Sequence, residues 1–64
     1  MEKLNLTSGC IVLIDAFDEI PEHSFLVDAI YEDCITGVAK SGLLAGEYGE
    51  PDLALVVRVL STPS

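Results

Sequence analysis

The sequence predicts a small, mostly β domain: a strongly bent antiparallel sheet or compact barrel of four to five strands, with a short helical turn before the last. Three observations lead there. Short apolar runs rich in Ile and Val recur at residues 10–14, 25–31, 34–39 and 55–60, each of strand length. Turn-forming residues separate them, at Ser8-Gly9, Glu32-Asp33, Lys40-Ser41-Gly42 and between Gly46 and Pro51. Half of the 64 residues are apolar, which supplies one core and leaves no room for a second.

Each element has its own warrant. Cys10-Ile11-Val12-Leu13-Ile14 is short, continuous and β-branched, as suits a strand with both faces covered. An acidic connection over residues 15–24 follows, carrying Pro21 and His23. In the next strand Phe25, Val27, Ala29 and Tyr31 alternate with Leu26, Asp28 and Ile30, so the two sets face opposite ways. Glu32-Asp33 makes a tight turn, and Cys34-Ile35-Thr36-Gly37-Val38-Ala39 returns as the other half of a hairpin. Residues 43–51 read as a loop, 51–54 as one helical turn and 55–60 as the last strand, three of whose six residues are valine.

Together these describe a single acidic domain over residues 1–60 with a flexible tail at 61–64. The nearest general architecture is the Src-homology-type barrel. An α+β alternative replaces the hairpin with one helix over residues 22–40, because Phe25, Ala29, Ile30, Cys34 and Val38 also recur at near-helical spacing. Ile35, Thr36 and Gly37 count against that helix.

Charge is the second strong signal. Eleven Asp and Glu stand against three Lys and Arg, a formal net charge of −8. Residues 4–39 contain no base and hold Asp15, Asp18, Glu19, Glu22, Asp28, Glu32 and Asp33. A second acidic cluster follows at Glu47, Glu50 and Asp52. Such charge keeps an apolar chain dispersed, and it equally suits a face made for a basic partner. It argues against direct binding to DNA or RNA, since phosphates would meet no neutralising surface. The apolar content exceeds what so small an interior needs, so the excess points to a surface patch and leaves both a monomer and a homodimer open.

Chemistry is harder to find. His23 is the single histidine, and in an acidic loop it reads as a solvated side chain and not as part of a nucleophilic triad. Asp18-Glu19 and Glu32-Asp33 read as solvated, mutually repelling acids and not as a catalytic pair. Asp15, Asp18, Glu19 and Glu22 do not match a Ca²⁺-loop pattern, and Cys10, His23 and Cys34 lack zinc-site spacing. No enzyme activity, cofactor or metal is therefore expected.

Cys10 and Cys34 read as small buried thiols of a reducing compartment. The start shows no basic-then-apolar leader, and the apolar run at 10–14 is too short to span a bilayer, so a cytoplasmic protein with no membrane partner is expected. The glycosylation triplet Asn5-Leu6-Thr7 is read as chance. Gly46-Glu47-Tyr48-Gly49-Glu50-Pro51 is the most distinctive string. Its glycines do not form a phosphate-cradling loop, and Tyr48 either stands out as an interface anchor or folds back over the core.

In its size, its base-free run over residues 4–39 and its carboxylates spread over turns and strand faces, the chain resembles the short acidic inhibitors encoded by phages and mobile elements. Among these are anti-CRISPR proteins that mimic nucleic acid. The resemblance is one of type, with no shared motif, and carries over no functional residue. It implies a basic nucleic-acid channel as the target, such as that of a CRISPR surveillance complex. The expected function is binding: an acidic surface of Asp15, Asp18, Glu19, Glu22, Asp28, Glu32, Asp33, Glu47 and Glu50, with Tyr48 or Tyr31 as anchor, set against a basic groove of a protein partner. Asp28, Glu32 and Asp33 would extend the acidic loop at 15–22 into one field. The alternative is a module that assembles through an apolar surface patch.

Overall fold

A computed structural model describes residues 6–63; Asn5, which opens the glycosylation triplet, and Ser64, which ends the tail, lie outside them. The strands fall where the β-branched residues gather: β1 at Ile11–Ile14, β2 at His23–Ile30, β3 at Ile35–Ala39 and β5 at Val56–Ser61. Tyr48–Gly49 adds a two-residue strand, β4, inside the stretch that reads as a loop. The helical turn is a single 3-10 turn, Leu53–Leu55, placed immediately before β5. All five strands form one antiparallel sheet in the order β4-β3-β2-β1-β5.

The helix weighed over residues 22–40 does not form. Ile35, Thr36 and Gly37 disfavour it, and the β2–β3 ladder instead pairs Phe25 with Ala39 and Leu26 with Val38. Gly37 is needed where it stands, because a Cβ there would run into the Leu26 carbonyl of the neighbouring strand. Ser61 completes β5 and does not belong to a tail.

The sheet bends sharply, and chain length proves it. The segment after β4 still runs beside β3, with the Ile35 N–H donating to the Pro51 carbonyl at 3.0 Å and Cys34 bridged to Asp52. Four residues later Val56 pairs with Ile14 at the opposite edge. In a flat sheet those points would lie ~30 Å apart, from a spacing of ~4.8 Å per strand and a rise of ~3.3 Å per residue. Four residues reach at most ~14 Å. Only a curled sheet lets the 3-10 turn cross from one edge to the other. The two edge strands are nonetheless not paired, so the sheet stays open and stops short of a closed barrel.

Curling encloses the core: Cys10, Val12, Ile14, Phe25, Val27, Ile35, Ala39 and Val56. His23 joins this interior and is not the solvated loop side chain that the sequence indicates. It opens β2 with 5% exposure. Its Nδ1–H donates to the Pro21 carbonyl at 2.9 Å, which satisfies that nitrogen and leaves the ring tilted against Phe17. The β1–β2 connection has its own hairpin tip. Phe17 and Ile20 exchange backbone hydrogen bonds of 3.0 and 2.8 Å around Asp18-Glu19, with Asp18 at φ +51°. A positive φ at the first central residue is what a primed hairpin turn requires, and Asp tolerates it better than most residues. Among the described residues no helix is long and apolar enough to cross a membrane.

Candidate acidic groove

The 3-10 turn gathers acids from three parts of the chain. Asp52 caps it, its Oδ1 accepting from the Ala54 N–H at 3.0 Å. The Leu53 N–H donates to the Asp33 carbonyl at 3.0 Å, and the Asp15 N–H donates to the Leu55 carbonyl at 2.8 Å. Asp15 and Asp33, at opposite ends of β2 in sequence terms, are thus each one hydrogen bond from the same three-residue turn. The curl of the sheet brings both backbones to this one turn.

Beside the turn lies an open groove of about 350 Å³, lined by Tyr31, Asp33, Cys34, Thr36, Tyr48 and Glu50. Its two tyrosines are well exposed, Tyr31 at 56% and Tyr48 at 63%. Tyr48 therefore stands out and does not fold over the core. Its hydroxyl donates to Glu50 Oε2 at 3.0 Å. That hydrogen bond, followed by partial desolvation and the Glu50 charge, holds the phenol above its ordinary pKa. Tyr48 therefore keeps its proton at neutral pH.

Cys34 responds to the same field. Desolvation raises its thiol pKa most, and the charge of Asp33, a hydrogen bond to Asp33, and the charges of Glu50 and Asp52 raise it further. A thiol so placed stays protonated and is a poor nucleophile. Cys34 is half-buried, whereas Cys10 is fully enclosed as a thiol packed in the core.

All ten residues singled out from the sequence are exposed, and they fall at several places in the fold. Asp33, Tyr48 and Glu50 meet in the groove, and Asp15 follows β1, its N–H bonded to the last residue of the 3-10 turn. Asp18 and Glu19 sit at the hairpin tip, Glu22 just before β2, and Glu32 beside Asp33 in the β2–β3 turn. Glu47 and Glu50 border a small cavity of about 70 Å³ with Phe17 and His23. Asp28 is the odd residue of a bulge in β2 and lines a separate, mostly apolar groove with Leu26 and Val38.

No family model matches the chain, and no curated protein or solved structure matches it either. The groove must be judged on its own chemistry. Among the described residues no three His, Cys, Asp or Glu side chains stand close enough to hold a metal ion. Cys34 and Thr36, which line the groove, and Asp52, which caps the turn beside it, were not among the residues expected to bind. The only signal for the first two was their period-two placement along β3, which puts Cys34 and Thr36 in step without saying what lies opposite.

Proposed function

We propose that the chain is a non-enzymatic binding protein that takes a basic segment of a protein partner in the groove between Tyr31 and Tyr48. One observation carries this reading: two carboxylates and two exposed tyrosines line the same groove, with no Lys or Arg among them. A Lys or Arg side chain entering it meets Asp33 and Glu50 as counter-charges and the tyrosine rings as cation–π surfaces. Exposed ion pairs contribute little one by one. The aromatic area is what turns an electrostatic encounter into a lasting complex.

The net charge of −8 speeds that encounter. Asp15 and Asp52 continue the negative potential along the 3-10 turn. A Lys/Arg-rich channel that normally holds nucleic acid is one partner of this chemistry, and it is the one implied by the likeness to acidic phage inhibitors. The raised pKa of Cys34, which favours its neutral thiol, and the burial of His23 support a non-enzymatic reading.

The test removes equal charge at two places. Isotope-labelled protein is titrated with short Lys/Arg peptides, for the wild type, for Asp33→Asn with Glu50→Gln, and for Asp18→Asn with Glu19→Gln. The groove pair should weaken binding roughly ten-fold and the hairpin pair roughly two-fold or less, as charges contacting a ligand outweigh remote ones. Equal losses from both pairs would mean that net charge alone drives binding, and would refute the groove.

A further inference from the structure

His23 is almost wholly enclosed, yet one of its ring nitrogens has nothing to bond. Its exposure is 5%, and its Nδ1–H is committed to the Pro21 carbonyl. A carbonyl can only accept, so the proton sits on Nδ1 and Nε2 carries a lone pair. No described residue bonds Nε2, and no sealed side-chain nitrogen or oxygen among them goes without a partner, so Nε2 opens onto free space. The space beside the ring is the cavity of about 70 Å³, whose other walls include Phe17, Phe25 and Pro51, with Glu47 and Glu50. The Phe17 ring lies 6.2 Å from that of His23. Phe25 is buried whereas Glu47 and Glu50 are exposed, so apolar rings form the floor and carboxylates the rim.

We infer that this cavity is a lysine pocket, taking the end of one lysine side chain from the basic segment in the neighbouring groove. The inference rests on the groove reading for its partner, and adds which side chain is selected. Tyr48 and Glu50 line both groove and cavity, so a segment lying in the first can lower a side chain into the second. An ammonium carries three N–H donors and no acceptor. Nε2 of His23 and the two rim carboxylates are acceptors for them, and no Lys or Arg lines the cavity to compete. The apolar walls suit the methylene stem, which long basic side chains bury readily.

Size makes the choice between cations. The cavity's 70 Å³ holds about two waters' worth of matter at ~30 Å³ each, which the last carbon and the nitrogen of lysine fill. The broad planar fork of arginine does not fit that space, and neither does a trimethylated ammonium. The groove alone would choose the other way. Exposed tyrosines and carboxylates favour arginine, which stacks on rings and pairs with carboxylates through two hydrogen bonds. A preference for lysine therefore reports the cavity and not the groove.

Three short peptides, identical except that every basic position is lysine, arginine or trimethyl-lysine, are titrated into the isotope-labelled full chain. The lysine peptide should bind at least ~5-fold tighter than the other two, as misfits in an apolar pocket commonly cost that much or more. It alone should move the ring signals of His23, the single histidine of the chain. Gly49 lines the cavity with a negative φ, and a Cβ there would stand 3.6 Å from Phe25 Cε1 and 4.0 Å from Pro51 Cδ, ordinary contacts. Gly49→Ala therefore narrows the cavity without strain; it should abolish the lysine preference and leave the arginine peptide within ~2-fold. Glu47→Gln, at the rim and outside the groove, should weaken the lysine peptide ~3-fold and the arginine peptide less. Asp33→Asn, in the groove alone, should weaken all three peptides alike; a lysine preference that persists while Asp33→Asn does nothing would count against the groove and for the cavity. Binding of no peptide, a preference for arginine, still His23 signals, or a lysine preference that survives Gly49→Ala would overturn the inference. Circular dichroism melts of each variant separate lost binding from lost folding.

Discussion

Tyr48 stands between two surfaces of opposite chemistry. Toward the 3-10 turn it borders the acidic groove with Asp33 and Glu50; across the sheet it ends the apolar band of Ile11, Leu26 and Val38. The groove is built largely from turns and strand ends, which the curl of the sheet draws together. The band is built from strand interiors, and the ladder alone fixes it. Most of the charge in this molecule therefore sits where the backbone turns, and the half-buried apolar side chains of the band sit on paired strands.

The largest expected effect tests whether the band is really outside the core. Ile14→Ala should cost ~2–5 kcal/mol, because it opens a cavity beneath β1. Leu13→Ala, one residue away and facing outward, should cost well under half of that in dilute protein. Denaturant melts of the two variants decide the point. Comparable losses would place Leu13 in the core and dissolve the distinction between the faces.

Next in size is a test of independence. Asp33→Lys with Glu50→Lys should lower affinity for a basic peptide at least ~10-fold while moving the melting temperature by no more than a few degrees. The same variant should keep a cooperative denaturant melt, since neither residue belongs to the core cluster. A matching loss of stability would mean that the two residues hold the fold as well as the partner.

A smaller effect reports the groove's field directly. Acids and desolvation both favour the neutral thiol of Cys34, so its pKa lies above the ordinary value. Alkylation by iodoacetamide should therefore begin at higher pH than for a free thiol. Asp33→Asn removes the largest charge contribution and should shift that onset to lower pH. An onset unchanged by Asp33→Asn would mean that the acids do not act on the groove.

How much of this was legible beforehand follows from how local each feature is. β1, β2, β3 and β5 announce themselves through Ile and Val in strand-length runs, and the 3-10 turn through Pro51-Asp52 before an apolar pair. β4 does not, because two residues ending in glycine become a strand only through pairing with Gly37 and Val38. The burial of His23 was hidden for a similar reason: it rests on the ring fitting beside Phe17 after the connection folds back. The acids and tyrosines of the groove were visible as residue types. Their meeting was not, since it depends on Cys34 lying against Asp52 and on a three-residue turn crossing between sheet edges. The continuous apolar run of β1 did ask for cover on both faces; among the described residues one face, with Val12 and Ile14, is fully enclosed and the other, with Ile11 and Leu13, is half-buried.

The central claim is that a basic partner is held by the groove, and salt dependence measured on matched variants tests it most directly. Affinity for a Lys/Arg peptide is followed across a salt series for the wild type, the groove-neutralised pair Asp33→Asn/Glu50→Gln and the hairpin-neutralised pair Asp18→Asn/Glu19→Gln. Contact charges give a salt response that vanishes when they are removed, whereas diffuse charge gives one that merely scales with the total. The account predicts a steep fall of affinity with salt for the wild type and the hairpin pair, and a shallow one for the groove pair. A flat response in the wild type, or the same slope in all three proteins, would contradict it.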